Sequence, residues 1–218
     1  MTLSEEDYIK TIYHLGKGEN TIVSTNAIAE QMDTKPSSVT DMVKKLSDKG
    51  VLNYRKYKGV SLTEYGQKVA LSLVRKHRLW EVFLVNELDF SWDEVHEVAE
   101  QLEHIKSEQL IDRLDKHLGY PRVDPHGDPI PSKKGEFKKS MKKILSEVAI
   151  GTTGICVGVK DSSAAFLKFL DKNTIALGDA ITVVDKEEFD GSLHIQIKNK
   201  DIHISDRIAT NLYVTITE

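Results

Sequence analysis

Residues 77–104 carry six side chains of two types, imidazole and carboxylate, that suit divalent transition metals such as manganese, iron, cobalt or zinc. They are His77, Glu81, His96, Glu100, Glu103 and His104. His77 and Glu81 lie four residues apart, so they share one face of a helix. The other four recur at helical spacing and share one face of a second helix. Residue types and spacing together predict a metal centre built on two helical stretches.

Two classes of metalloenzyme use similar residues, and the sequence argues against both. The segment HEVAE, residues 96–100, nearly matches the HExxH helix of zinc hydrolases, but Glu100 replaces the second histidine and Glu97 lies off the shared face. A di-iron oxidase needs two Glu-x-x-His motifs, which are lost because Glu103 and His104 are adjacent. Solvated surface charge would explain one or two of the six residues, but apolar residues interleave with all of them. We therefore expect a binding protein rather than an enzyme.

Residues 1–72 show three helical patterns followed by a hairpin. Helices are predicted over residues 4–15, 25–32 and 36–50, and Pro36 opens the third at the position where proline is best tolerated. Residues 51–63 alternate apolar and polar side chains around Tyr57-Lys58-Gly59, which indicates two paired strands. This order of elements predicts a winged helix-turn-helix.

In such a domain the start of the second helix of the motif reaches base edges and phosphates. Small hydroxyl residues there suit phosphate binding, and basic residues at the hairpin tip would lie along the DNA backbone. The candidate DNA-binding residues are Pro36, Ser37, Ser38, Thr40, Lys44, Arg55, Lys56 and Lys58. The net charge is −4, so DNA contact would depend on this local patch. The alternative is a packing or dimerisation module that does not bind DNA.

Composition is that of a globular protein in a reducing compartment. The single cysteine, Cys156, has no partner for an intrachain disulfide and is expected to be a small buried core residue. No apolar run approaches the roughly 20 residues that span a bilayer. The first residues, MTLSEEDYIK, have neither the basic nor the apolar stretch of a secretory signal. These features predict a cytoplasmic protein without a membrane partner.

The remainder of the chain is predicted to be helical and then β-rich. Helices are expected over 63–88, 91–105, with a capping box from Ser91 to Glu94, and 107–118, followed by a proline-rich loop at 119–135. The lysine-rich segment 133–148 is expected to be a short helix or a tether. From Ile150 onward, five short strand patterns and one helix over residues 162–170 indicate a small SH3-like barrel. The fold class is therefore α+β.

Four segments resemble signature segments of the diphtheria-toxin-repressor family of metal-dependent transcriptional regulators: EEDYIKTIYHL, PSSVTDMVKKL, LVRKHRLWEVFL and VHEVAEQLEH. The resemblance covers nearly the whole chain. It implies a winged helix-turn-helix DNA-binding domain at 1–72, a helical metal-binding and dimerisation domain at 73–140, and an SH3-like (FeoA-type) domain at 148–218. It also implies a homodimer that binds a near-palindromic operator in double-stranded DNA and represses metal-uptake genes when metal is bound.

The same resemblance implies two sets of metal ligands. The primary set is Asp7, His77, Glu100, Glu103 and His104. The second set is Glu81, His96, Asp124, His126 and Asp161. Asp7 also fits a capping box with Ser4, a role that the same oxygen cannot share with metal binding.

Positions at which these ligand sets differ from those of other family members predict which metal binds and how many ions bind. Iron-responding members of the family place Met and Cys where this chain has Asp7 and Glu100. Because carboxylates are hard oxygen ligands, these two residues favour Mn²⁺ as the bound metal, and Fe²⁺ is the alternative. Lys10 replaces an acid that binuclear manganese regulators use, which argues against two closely spaced metals. A metal-buffering protein or metalloenzyme and a constitutive DNA-binding protein remain as alternatives. A metal-buffering protein or metalloenzyme would bind no DNA or would show catalytic turnover. A constitutive DNA-binding protein would bind DNA equally well with and without a chelator.

Overall fold

The structure, a computed structural model, describes residues 1–18, 21–91, 94–137, 142–161 and 163–216. The chain divides into two compact units. The first contains Met1–His77, Glu100–Glu108 and Pro131–Glu136, and the second contains Arg78–Ala99, Gln109–Ile130 and Phe137–Glu218. Among the described residues, no helix is both long enough and apolar enough to cross a bilayer.

The winged helix-turn-helix forms in the first unit as the sequence predicts. Its helices are α1 (Leu3–Leu15), α2 (Thr25–Gln31) and α3 (Pro36–Asp48), and its hairpin pairs β1 (Leu52–Arg55) with β2 (Gly59–Leu62) in antiparallel register. Pro36 occupies the first turn of α3. One face of α3 is buried through Val39, Val43 and Leu46. The opposite face of α3 is therefore left to solvent.

The N-terminus of α1 differs from the sequence prediction. Thr2 is the N-cap: its hydroxyl accepts from the Glu5 backbone N–H at 3.3 Å, and its own N–H donates to Glu5 Oε2 at 3.1 Å. The predicted capping box of Ser4 and Asp7 is wrong, because α1 begins at Leu3 and its third position falls on Glu5. The Asp7 carboxylate is consequently not used by the cap.

Three helices follow the hairpin: α4 (Glu64–Leu88), α5 (Val95–Leu102) and α6 (Glu108–His117). Thr63 begins α4 by accepting the Gly66 N–H at 3.0 Å. Ahead of α5, the Ser91 hydroxyl donates to Glu94 Oε2 at 2.6 Å, while the rest of the predicted capping box, residues 92–93, lies outside the described residues. The proline-rich loop predicted over residues 119–135 is irregular and contains an isolated β-bridge between Val123 and Pro129.

The second unit ends in a six-stranded antiparallel sheet of order β3-β8-β4-β5-β6-β7. The strands are β3 (Lys143–Ile144), β4 (Thr153–Val159), β5 (Ala180–Lys186), β6 (Leu193–Ile197), β7 (Lys200–Ile204) and β8 (Leu212–Ile216). The helices α7 (Ala164–Lys172) and α8 (Asp206–Ala209) complete this region. Among the described residues, this pairing leaves β3 and β7 at the two edges of the sheet of the predicted SH3-like region.

Two features of this region differ from or extend the sequence prediction. Part of the lysine-rich segment is strand β3, which pairs with β8, instead of a helix or tether, and residues 138–141 lie outside the described residues. A 3₁₀ turn over Leu145–Glu147 follows β3 and buries Leu145 completely. Cys156 in β4 is buried as predicted, and burial raises the pKa of its thiol to about 11.

Candidate metal centre

The first cluster of ligand atoms lies where α1 meets the end of α5, within the first unit. Atoms of Asp7, Glu103 and His104 lie within 4.8 Å of one another. His104 Nε2 is 3.0 Å from Asp7 Oδ1. Asp7 is supplied by α1, while Glu103 and His104 come from the residues just after α5. The structure thus brings together three of the five residues in the predicted primary set.

Glu103 supplies the strongest sign that this cluster fits a cation. Its side chain is fully buried, and Oε2 lies 2.6 Å from His77 Nδ1 and 2.5 Å from Lys10 Nζ. Its other oxygen, Oε1, is buried and has no hydrogen-bond partner among the described residues. A buried carboxylate oxygen without a partner is costly, and a metal ion would remove that cost. The donor set around it, carboxylate and imidazole, is one that divalent transition metals accept.

Glu6 belongs to this cluster and was missed from the sequence. Its Oε2 lies 2.7 Å from His104 Nδ1, on the side of the ring opposite to Asp7. A carboxylate that accepts the Nδ1–H of a histidine fixes the ring and leaves Nε2 to bind a metal, as is common behind metal-ligating histidines. Its position immediately before Asp7 was the available signal, but only the fold shows that His104 lies between the two acids.

The remaining members of the predicted primary set, His77 and Glu100, surround Lys10. The Lys10 ammonium lies 2.7 Å from Glu100 Oε1 and 3.2 Å from His77 Nδ1, in addition to its contact with Glu103. The Lys10 side chain is only 10% exposed. A protein cation therefore already lies among three of the five predicted ligands.

The balance of charge at Asp7 also favours a cation. Burial raises the pKa of Asp7, and the carboxylates of Glu100 and Glu103 raise it further. His104 and Lys10 act in the opposite direction but do not offset these effects. A divalent ion beside Asp7 would stabilise the ionised carboxylate.

A second cluster forms in the second unit from Glu81, Asp124 and His126. All three are buried, and their ligand atoms lie within 4.8 Å of one another. Asp124 Oδ1 accepts the backbone N–H groups of His126 at 2.8 Å and Asp128 at 2.9 Å. Its Oδ2 lies 3.3 Å from Arg78 Nε. Burial, together with the nearby Glu81 carboxylate, raises the pKa of Asp124 to about 8, and Arg78 offsets this only in part.

The loop that carries His126 is fixed against strand β4. The His126 carbonyl accepts the Val159 N–H at 2.7 Å. The next residue, Gly127, has φ of +83°, and a Cβ there would lie 1.9 Å from the Val157 carbonyl oxygen. Only glycine fits this close approach, so Gly127 is what allows His126 to reach the cluster.

The last two residues of the predicted second set lie at its rim or away from it. His96 Nδ1 is 3.4 Å from Glu81 Oε1, and its side chain is 62% exposed. Asp161 does not join either cluster of described ligand atoms, and its Oδ1 accepts the Ser163 N–H at 2.9 Å. Hydrogen bonds from Ser163 lower the pKa of Asp161. A metal-binding role for Asp161 stays a prediction.

The predicted DNA-binding residues lie together in the first unit, and all but one are exposed. On α3 they are Pro36, Ser37, Ser38 and Lys44, with Thr40 half-buried and its hydroxyl donating to the Pro36 carbonyl at 2.9 Å. On the hairpin they are Arg55, Lys56 and Lys58, beside the nearly fully exposed Tyr57. The other lysine of this helix, Lys45, is turned toward α1 instead.

Glu5 connects α1 to the end of α3. Its fully buried carboxylate lies 2.9 Å from Lys45 Nζ and 2.7 Å from Lys49 Nζ. Hydrogen bonds from Lys49 and then Lys45 lower the pKa of Glu5 to about 2. The helix that carries Asp7 is thereby tied to the helix that carries the candidate DNA-binding residues.

Three family models match consecutive parts of the chain. Residues 1–60 match the iron dependent repressor N-terminal DNA binding domain, and residues 63–132 match the iron dependent repressor metal binding and dimerisation domain. The chain belongs to the iron-dependent repressor family. Residues 143–216 match the FeoA domain, so the predicted fold class and the resemblance stated from the sequence are confirmed.

Similar members of the iron-dependent repressor family are named for different metals. The regulator MntR of Oceanobacillus iheyensis is 37% identical over 146 residues, covering 67% of this chain and 91% of that protein. The iron-dependent repressor IdeR of Mycobacterium tuberculosis is 37% identical over 126 residues, covering 58% of this chain and 54% of that protein. The chain therefore spans about half the length of IdeR. A solved manganese-dependent transcriptional repressor in complex with manganese has a TM-score of 0.78 at 33% identity, covering 98% of this chain and 100% of that one.

Proposed function

We propose that this chain is a metal-dependent transcriptional repressor of metal-uptake genes, acting in the cytoplasm as a homodimer on a near-palindromic operator. One observation supports the proposal most directly: Glu103 Oε1, beside Asp7 and His104, is buried and has no hydrogen-bond partner among the residues that the structure describes. This carboxylate oxygen, which a bound cation would stabilise, lies in the same compact unit as the exposed face of α3. We retain 1–72, 73–140 and 148–218 as the proposed domains.

The proposed metal is Mn²⁺, with Fe²⁺ as the alternative. Asp7 and Glu103 offer hard carboxylate oxygens, and His104 offers an imidazole nitrogen. This set of oxygen and nitrogen ligands, which contains no sulfur, suits Mn²⁺. The second cluster, Glu81, Asp124 and His126, is proposed to bind metal as well, with His96 at its rim. By their names, the solved manganese-dependent transcriptional repressor favours manganese and the relative IdeR favours iron.

When bound, the metal would supply the positive charge that the buried carboxylates lack. The chain's own residues then connect the metal centre to the DNA-binding helix. Glu103 and His104 hold Asp7, and with it α1, while Glu6 keeps the His104 ring oriented. Glu5 transmits the position of α1 to the end of α3 through its two lysine partners. Restraint of α3 populates the DNA-binding geometry in advance, so that less free energy is spent on ordering when DNA binds.

Reciprocal coupling tests this proposal. If metal tightens DNA binding by some factor, DNA must tighten metal binding by the same factor, typically about 5–150-fold. We would titrate Mn²⁺ into the full chain alone and with a saturating duplex from its own promoter region. A higher Mn²⁺ affinity with the promoter duplex than with a shuffled duplex is expected. Equal affinities in all three titrations would contradict metal-gated DNA binding.

The homodimer is proposed to form through apolar faces of the helices within residues 91–118. Two chains related by a twofold axis would present two α3 helices to half-sites about one helical turn of DNA apart, or a multiple of it. Sedimentation of the Mn²⁺-loaded chain at micromolar concentration is expected to show a dimer. A monomer under these conditions would refute this part of the proposal.

A further inference from the structure

The six-stranded sheet carries a pair of histidines that belongs to neither metal cluster. His194 in β6 is directly opposite His203 in β7, the strand at one edge of the sheet among the described residues. Their imidazole rings are stacked, with centroids 4.4 Å apart and ring planes 12° from parallel. Leu193 and Ile195, the neighbours of His194 along β6, are buried, so strand alternation turns His194 to the other face of the sheet. The fold thus holds two imidazoles side by side on the outer face.

A carboxylate lies beside this pair. Asp201 comes two residues before His203 on β7, so the two side chains share one face of the sheet. Asp201 Oδ1 is 3.7 Å from His194 Nε2, which is too long for a hydrogen bond. His194 Nε2 is buried and has no hydrogen-bond partner among the described residues. The same carboxylate oxygen accepts from Gln196 Nε2 at 3.4 Å, which helps to hold it in place. A buried ring nitrogen therefore faces a carboxylate without bonding to it.

The spacing of these two atoms suits two ligands of one metal ion better than it suits a hydrogen bond. Zn²⁺ lies about 2.0–2.2 Å from imidazole nitrogen and carboxylate oxygen, so two such ligand atoms in a tetrahedral site are about 3.4 Å apart. His194 Nε2 and Asp201 Oδ1 would have to approach each other only slightly to bind one ion. The His203 side chain is exposed, so its ring is free to turn out of the stack and supply a third ligand. Water would complete the coordination.

We propose that His194, His203 and Asp201 form a further metal site, which binds Zn²⁺ or a similar ion in preference to Mn²⁺. Two of its three ligands are imidazoles, which suit Zn²⁺, Ni²⁺ and Cu²⁺, and the affinity of such a site is lowest for Mn²⁺. The bound ion would connect β6 to the edge strand β7 and stabilise the sheet against opening at that edge. The inference goes beyond the proposed repressor function and does not rest on it.

Equilibrium dialysis of the full chain against Zn²⁺ tests this site. The parent protein carries Glu103→Gln and His126→Ala, which weaken the two clusters described above. His203→Ala and Asp201→Asn are added to this parent one at a time. The control is His117→Ala, which removes an exposed histidine that has a carboxylate 3.9 Å away. His203→Ala should bind one Zn²⁺ fewer per chain than the parent, whereas His117→Ala should match the parent.

The size of the loss and a second measurement complete the test. Removing even a residue that supports a ligand lowers metal affinity about 10–100-fold, so His203→Ala and Asp201→Asn should each weaken Zn²⁺ binding at this site at least about tenfold. Nuclear magnetic resonance of the otherwise unmodified chain follows the histidine ring signals, and does not depend on how the parent folds. The signals of His194 and His203 should shift together as Zn²⁺ is added.

Two results would overturn the inference. One is Zn²⁺ affinity and stoichiometry that stay the same as in the parent in either His203→Ala or Asp201→Asn. The other is a pair of ring signals, from His194 and His203, that does not respond to Zn²⁺ in the unmodified chain. Neither result would affect the proposed repressor function, which depends on Mn²⁺ at the first cluster and is tested by the titrations with promoter DNA.

Discussion

Replacing Glu6 tests whether the acid behind His104 controls the metal site. Glu6 Oε2 lies 2.7 Å from His104 Nδ1, and the imidazole is only 10% exposed, so water replaces this contact poorly. Loss of such a supporting partner typically lowers metal affinity about 10–100-fold, or about 1.4–2.7 kcal/mol. Glu6→Gln keeps the size and one acceptor but loses the charge, and charge-assisted hydrogen bonds are roughly twice as strong as neutral ones. We therefore expect about a tenfold loss for Glu6→Gln and a larger loss for Glu6→Ala.

Titration of Mn²⁺ into the metal-free chain measures this effect directly. The matched control is Glu30→Gln, which removes the same charge from an exposed position on α2. Promoter DNA binding should weaken in Glu6→Gln at limiting Mn²⁺ and recover at saturating Mn²⁺, because the variant still binds metal once enough is added. Unchanged Mn²⁺ affinity in Glu6→Ala would refute the reasoning. A DNA-binding defect that persists at saturating Mn²⁺ would show that Glu6 acts on the DNA-binding head instead.

Four further predictions concern the same unit. Glu5→Gln should lower the free energy of unfolding by about 1–2 kcal/mol at neutral pH, since two partly exposed lysine pairs are lost. The pKa of Glu5 is lowered to about 2, so its contribution is complete above its ordinary pKa of 4.5 and is lost as the pH falls toward 2; chemical denaturation of Glu5→Gln should therefore lack this acid-sensitive part. The raised pKa of Asp7 means that protons compete with metal there, so Mn²⁺ affinity should fall on acidification and Asp7→Asn should bind weakly with a flatter pH profile. Lys58→Ala should weaken binding to every duplex and reduce the slope of affinity against salt by about one phosphate contact. Asp7→Met combined with Glu100→Cys should shift the ranking of metals in DNA-binding assays toward Fe²⁺, and an unchanged ranking would show that ligand type does not set selectivity.

Elements with strong local signals could be predicted from the sequence. Pro36 marks the start of α3, and the turn at Tyr57-Lys58-Gly59 identifies the hairpin, because each depends on residues close in the chain. Strand β3 could not be recognised, since two residues next to several lysines carry no alternation and pair only through β8. The capping residue of α1 was misplaced because Thr2 and Ser4 are chemically similar and lie within one turn.

The candidate metal centre was predictable in its residue types but not in its arrangement. Spacing within a helix grouped His77 with Glu81, whereas the fold places His77 with Glu103 and Lys10. No pattern along the chain shows that Lys10 lies among residues about seventy to ninety positions away, or that Glu6 contacts His104. Such contacts depend on how α1 packs against residues far away in the chain, and the local periodicity of a sequence does not reveal that packing.

Metal-gated DNA binding is best tested by measuring how the full chain binds fluorescent promoter DNA in Mn²⁺, in Fe²⁺ without oxygen, in Zn²⁺ and in chelator. Glu103→Gln, which removes the buried charge at the centre of the first cluster, and Glu30→Gln serve as the variant and its control. We expect tight, salt-sensitive binding with Mn²⁺ that collapses in chelator, and no such gain in Glu103→Gln. Equal binding with and without metal would contradict metal gating and would leave a DNA-binding protein whose His and Glu cluster is structural.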